Sequence, residues 1–288
     1  MEPRVRRSGS STRHGKGSLV VVGTGLKAAL HLTPEARQEI LRADRVFYLV
    51  SDPLSEKWIK TLKPTAKSLA SCYVRGRPRI AAYRRMIEKI LSPVRSGSRV
   101  CAAFYGHPGV SVLPSHEAIL RARQEGFETE MLPGISAEDC LFSELVFDPA
   151  GFGCQSYEAT DFLVYRRKFD PSSALVLWQA GVVGNPDYEE RPARSGMRLL
   201  TRRLARVYGK KHEVVLYEAS LLPVIPSMIR STTIEELPTA GVTGGTTLFI
   251  PPRPRSPDPR TLRLLGLRRS EKSRRFVCWD SSVLVNST

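Results

Sequence analysis

One feature constrains this chain more than any other: two textures alternate along it. From residue 18 onward, short apolar runs trade places with segments of helical character. Residues 18–22 form a valine-rich run, 45–50 a second and 98–104 a later one. Between the first two, Thr33-Pro34-Glu35 opens a helix, with threonine as the cap and proline at the first helical position. Another helix runs from about Ser115 to Gly126, where glycine suits the turn that ends a helix. A strand at 127–132 follows, and then a helix starting near Ser136. Strands separated by helical crossovers imply an α/β fold with a largely parallel sheet. Beyond Pro149-Ala-Gly-Phe-Gly153 the runs at 162–165, 174–179, 213–218 and 246–250 read as short strands, with one long helix around 197–208. The expected organisation is a tail at 1–17, an N-terminal α/β domain at 18–155, a C-terminal α/β domain at 156–252 and an extension at 253–288. A chain of 288 residues has room for two modest domains.

The formal net charge of +16 is concentrated at the ends. Residues 1–17 hold five basic side chains and one acid, and residues 251–288 hold nine against three. Such an excess invites a nucleic-acid partner. No recognition motif accompanies it and aromatic residues make up only 8%, so solvated tails account for the charge better. The five cysteines, at 72, 101, 140, 154 and 278, lie at least fourteen residues apart, which suggests neither a zinc site nor a disulfide framework. No metal is expected. No apolar run approaches the length of a membrane span, and a cytoplasmic protein is expected.

Three sequence features could carry chemistry. Gly23-Thr-Gly25 with Ala28 fits a degenerate dinucleotide fingerprint, but the helix cap at Thr33 lies too far on and Asp44 stands at the wrong edge of the second strand. A tight turn is the better reading. Phe104-Tyr-Gly-His-Pro-Gly-Val110 and Pro133-Gly-Ile-Ser-Ala137 each follow a strand, so in a parallel sheet both loops reach the carboxyl edge, where open α/β folds bind ligands. The third feature is a helix from about Arg79 to Leu91. Its inward face is read as Ile80, Met86, Ile87, Ile90 and Leu91, with Arg79 and Tyr83 in line and Arg84, Arg85, Glu88 and Lys89 pointing away. Tyr73 precedes it in a loop. An inward guanidinium needs a carboxylate, a cleft or an anion.

Taken together, Leu19-Val-Val-Val-Gly-Thr-Gly-Leu26, Tyr105-Gly-His-Pro-Gly-Val110 and Leu132-Pro-Gly-Ile-Ser-Ala-Glu138 resemble the tetrapyrrole-methylase fold, the class III S-adenosylmethionine-dependent methyltransferases. Gln155-Ser-Tyr-Glu-Ala159, Leu177-Trp-Gln179, Val215-Leu-Tyr-Glu-Ala219 and Thr246-Thr-Leu-Phe-Ile-Pro-Pro252 narrow the resemblance to the borosin peptide α-N-methyltransferases, in particular the bacterial branch with a separate precursor peptide. It spans roughly residues 18–267.

The resemblance implies an N-terminal mostly parallel sheet with helices on both faces, a C-terminal mixed-sheet α/β domain and a cofactor cleft between the two in a homodimer. It implies S-adenosylmethionine bound by Tyr105, His107, Val110, Ala137, Gln179, Ala219, Thr246 and Thr247. The catalytic group it implies is Tyr73, Arg79 and Tyr83; a further tyrosine of some relatives is Ala70 here. Those residue types suit methylation of a backbone amide, whose nitrogen is a poor nucleophile until it loses its proton. A phenolate can take that proton and a guanidinium can hold charge on the imidate oxygen. Tyr83 is favoured as the base, with the division of roles between the two phenols left open.

A tetrapyrrole or other small-molecule methyltransferase of the same fold is the alternative, although such relatives usually carry an acid where His107 stands. Residues 276–288 could be a fused core peptide. Fused substrates usually offer longer apolar runs, which favours a separate precursor, and the basic tails would suit an acidic leader.

Overall fold

A computed structural model describes residues 16–27, 29–185 and 194–266, and falls into two compact units. The first holds the described residues up to Tyr73 together with Ile80–Ser136; the second holds Val74–Arg79 and the described residues from Ala137 onward. Ala28, the tail at 1–15 and residues 276–288 lie outside the described residues.

The first unit runs β1 (Ser18–Gly23), α1 (Pro34–Arg42), β2 (Arg45–Leu49), α2 (Pro53–Leu62), β3 (Lys67–Ser68), α3 (Arg79–Arg95, whose first residue groups with the second unit), β4 (Arg99–Phe104), α4 (Leu113–Gln124) and β5 (Glu128–Leu132). Its sheet has the order β3-β2-β4-β1-β5, and every pairing is parallel. Successive residues of a strand face opposite sides, and the core divides accordingly. Leu19, Val21, Val100 and Ala102 pack with Met86 and Ile90 of α3 and Ala118 of α4, while Val20, Val22, Cys101 and Ala103 pack with Ile40 of α1 and Ile59 of α2. Helices therefore cover both faces. Caps fix where they begin: the Thr33 side chain accepts from the Ala36 amide and that of Asp52 from the Ser55 amide, each with proline at the next position.

α3 is longer than the sequence suggests and differs at one position. Ile80, expected inward, is 45% exposed, and Ala82, Met86, Ile87, Ile90, Leu91 and Val94 form the buried stripe. Ile80 sits in the first turn, before the helix is covered by the sheet. Pro93 lies in the last turn, within one turn of the end.

The second unit contains α5 (Ala137–Glu144), α6 (Pro149–Phe152), β6 (Cys154–Glu158), α7 (Ala159–Val164), β7 (Ala174–Trp178), α8 (Arg194–Tyr208), β8 (Glu213–Glu218), β9 (Met228–Thr233), β10 (Thr247–Ile250) and α9 (Pro259–Leu264). Its sheet is ordered β6-β7-β10-β8-β9 and is mixed: β6 and β7 are parallel, whereas β10 runs antiparallel to both β7 and β8. Residues 162–165, expected as a strand, instead end helix α7. The Glu158 carboxylate caps that helix by accepting from the Asp161 amide, and Phe162 is buried beneath Leu200 and Leu204 of α8. A local cap overrides the β-preference of the apolar run.

Candidate functional site

In the first unit, β4 and β5 flank β1, so the loops after all three strands leave the same edge of the sheet side by side. They interlock. Gly25 and Gly106 exchange main-chain hydrogen bonds of 3.2 and 2.9 Å, and a Cβ on Gly134 would lie 2.6 Å from the Gly106 carbonyl oxygen. Only glycine permits that approach. α1 starts at Pro34, well past these glycines, as expected for a tight turn rather than a dinucleotide loop.

The loop after β4 carries Tyr105, 45% exposed, and Val110, 38% exposed, leaving an aromatic and an aliphatic surface at the ligand-binding edge. Within it the Gly109 amide donates to His107 Nδ1 at 2.9 Å. That bond makes Nδ1 the acceptor and places the proton of the neutral imidazole on Nε2. Ser111 follows with φ +56°, a left-handed conformation that costs a non-glycine residue energy.

Tyr73 and Tyr83 also belong to the first unit. Their rings meet edge to face, centroids 6.3 Å apart at 77°, half-buried against the cluster beneath α3. Arg85, two residues beyond Tyr83 on α3, fixes the approach to Tyr73: its guanidinium donates from Nε and Nη2 to the Cys72 carbonyl, the former at 3.2 Å.

The second unit gathers its candidates where β7 and β8 end and β10 begins. Gln179 follows β7 in a left-handed conformation, φ +56° and ψ +35°, and its Oε1 accepts from Arg79 Nη1 at 3.5 Å. The Ala180 amide donates to the Thr246 carbonyl at 3.0 Å. Thr246 and Thr247 are buried, and Ala219 is half-buried beside the core. Glu218, which the sequence reading passed over, ties the group together: its carboxylate accepts from the hydroxyls of Thr246 and Thr243, the latter at 2.6 Å. The available signal was an acid immediately before Ala219. Ala137 opens α5. Beside it, burial holds the Glu138 carboxyl above the usual range against an opposing hydrogen bond from Ser156, whose Oγ accepts from the Trp178 indole. The Cys154 thiol is pushed up to about 12 by burial and by Glu138. Among the described residues no cluster of three or more His, Cys, Asp or Glu side chains could hold a metal ion, and no helix is long and apolar enough to cross a membrane.

Residues 18–238 match the family model of the tetrapyrrole (corrin/porphyrin) methylases. The chain belongs to this family. Solved family structures share its architecture. Uroporphyrin-III-C-methyltransferase from Thermus thermophilus superposes with a TM-score of 0.57 at 19% identity, over 89% of this chain and 99% of that one. Cobalt precorrin-4 methyltransferase also gives 0.57, at 17% identity over 84% and 98%. At such identities the likeness concerns the fold.

Sequence relatives are nearer. The methyltransferase/ribosomally synthesized cyclic peptide gymnopeptides precursor of Gymnopus fusipes is 41% identical over 249 residues, 85% of this chain and 59% of that one. The type I borosin cyclic peptide precursor of Serendipita vermifera subsp. bescii, likewise named a methyltransferase, is 41% identical over 252 residues, 85% and 61%. The corresponding omphalotin A precursor of Omphalotus olearius is 39% identical over 251 residues, 85% and 60%. The chain spans about three fifths of the length of these relatives.

Proposed function

We propose that the protein is an S-adenosylmethionine-dependent methyltransferase that N-methylates backbone amides of a ribosomal peptide. The observation that carries this reading is the edge-to-face pair Tyr73–Tyr83, with Arg79 one helical turn before Tyr83, in a chain about 40% identical to methyltransferases that are themselves cyclic peptide precursors.

The candidate cofactor residues suit such a ligand in kind. Tyr105 and Val110 offer exposed apolar surface, His107 offers an Nε2–H donor, Gln179 an amide, and Thr246 and Thr247 hydroxyls and main-chain groups; Ala137 and Ala219 leave room. S-adenosylmethionine supplies, when bound, a methyl group made electrophilic by a sulfonium. The chain's own work is to make a nucleophile of an amide nitrogen whose lone pair is delocalised. Tyr83 takes the amide proton at Oη as general base, with the Arg79 guanidinium one helical turn before it on α3. Arg79 and the Tyr73 hydroxyl donate to the amide oxygen as charge moves onto it, which is oxyanion stabilisation. Gln179 holds Arg79 by one of its nitrogens, leaving the rest of the fork to the substrate.

The relatives carry enzyme and precursor in one chain by name; the substrate proposed here is a separate precursor peptide, in the split arrangement, served by a cytoplasmic homodimer. The test is mass spectrometry of the full chain with S-adenosylmethionine and a candidate peptide. Increments of one methyl on backbone amides, lost in Tyr83→Phe, are expected. Methylation of a tetrapyrrole, with peptides untouched, would overturn the reading in favour of a small-molecule substrate.

A further inference from the structure

An open groove of about 1120 Å³ runs along the outer side of α3 in the first unit. It lies at the opposite edge of the sheet from the Tyr105 loop, because its walls include Arg45, which opens β2, and Ser98, which precedes β4. Five cations line it: Arg45, Lys67, Arg84, Arg85 and Lys89. Six hydroxyl side chains between Thr65 and Ser98 fill the spaces among them. One carboxylate, Glu88, faces the same groove, but it is already paired with Arg95 at 2.9 Å and Arg121 at 3.2 Å. Arg85 is spent on the Cys72 carbonyl, and Lys89 leans on the Ser71 hydroxyl at 3.3 Å. The side chains of Arg45, Lys67 and Arg84 have no hydrogen-bond or ion-pair partner among the described residues.

We infer that this groove docks an acidic stretch of the peptide substrate, away from the residues to be methylated. The occupant follows from the peptide reading above and from four features of the groove. Its cations can only donate, its hydroxyls can donate as well as accept, and the sole carboxylate is neutralised, so the missing complement is a row of anionic acceptors. Its volume exceeds what small-molecule pockets usually enclose, and it is open rather than enclosed. From Arg84 to its end at Arg95 the helix rises about 16 Å, the length of roughly five extended residues. Its one aromatic, Phe47, is buried in the sheet, so the stacking platforms on which unpaired nucleic-acid bases rest are missing. The chain's own terminal segments, net positive at both ends, are repelled by the same charges.

The test is fluorescence anisotropy on the full chain, with a labelled glutamate-rich peptide and the same peptide carrying glutamine in place of glutamate. The wild type binds the glutamate peptide about tenfold or more tightly than the glutamine peptide, and loses that preference as salt rises. The pair Arg84→Glu with Lys89→Glu, both exposed, abolishes the preference; Arg45→Gln with Lys67→Gln reduces it by charge removal alone; Arg202→Glu on α8 leaves it unchanged. Equal binding by wild type and both groove pairs would overturn the inference, as would stronger binding of a short RNA to the same residues. With a core peptide joined to the acidic stretch, the groove pairs raise KM about tenfold and spare kcat. Methylation that proceeds with unchanged KM sinks the groove alone. Charge-selective binding without methylation of any peptide sinks the methyltransferase reading and leaves an acidic-peptide groove standing.

Discussion

The two units assemble their candidate residues by opposite uses of strand direction. In the first, every strand points the same way, so the loops after β1, β4 and β5 meet at one edge without further arrangement. In the second, Gln179 and Glu218 close strands, whereas Thr246 and Thr247 open one. They meet only because β10 runs antiparallel between β7 and β8, in a register that sets Thr247 across from Tyr217. A parallel sheet gathers strand ends from many places in the chain; a mixed sheet joins an end to a beginning. The first site is built from loops on a common rim, the second around a carboxylate that pins Thr243 and Thr246.

The largest effects test the residues on which the chemistry is proposed to rest. Tyr83→Phe should cut the methylation rate by about 10²- to 10⁴-fold, as loss of a general base does, and Arg79→Ala by about 10²- to 10³-fold through lost stabilisation of the amide oxygen. Rapid-quench assays with mass detection measure both, and a retained rate in either variant would remove that residue from the mechanism.

Stability comes next. A Cβ on Gly181 would sit 1.7 Å from the Thr243 carbonyl oxygen, and one on Gly134 would sit 2.6 Å from that of Gly106. Gly181→Ala should destabilise the more, by about 2–4 kcal/mol in urea unfolding, because backbone must move to admit the methyl group. If Gly134→Ala proved the costlier, the parallel rim would be the more rigid of the two.

A smaller effect concerns Glu218. Glu218→Gln should weaken S-adenosylmethionine binding about fivefold by calorimetry while leaving the fold intact, since the two charge-assisted bonds from Thr243 and Thr246 are replaced by neutral ones. No change would reduce Glu218 to a local brace.

The smallest is a pH effect confined to the second unit. Burial holds His212 below its ordinary value of 6.5, against a ring hydrogen bond to the Pro251 carbonyl at 3.1 Å. The unfolded chain therefore takes up this proton first. The stability that His212 contributes is complete above 6.5 and is lost as the pH falls through its lowered folded value. His212→Gln should flatten that part of the stability profile.

The first unit was the more legible from sequence, for a physical reason. Parallel strands buried on both faces are continuous apolar runs bounded by caps such as Thr33, and glycines mark where loops crowd. The second unit hid β6 and β9. β6, Cys-Gln-Ser-Tyr-Glu, is an edge strand of half-buried residues, and β9 is half exposed, so neither shows an apolar run. The misread segment 162–165 is apolar but capped by Glu158 into a helix. At the site, the Gly-His-Pro-Gly loop and the Tyr-Arg-Tyr spacing stood out, whereas Glu218 could be noticed only once β10 was known to lie beside it. The bond from Arg79 to Gln179 joins residues a hundred positions apart, and no local pattern reports such a contact.

The position of β10 also sets a clock. Among the described residues it is the last strand in chain order and the middle one of its sheet, so until residue 250 has emerged β7 and β8 have no neighbour to share. The first unit can fold during synthesis, because all of its strands lie before residue 133. The cluster of Gln179, Glu218, Thr243 and Thr246 therefore cannot form on the nascent chain until β10 has joined β7 and β8, well after the strands of the first unit have all been made.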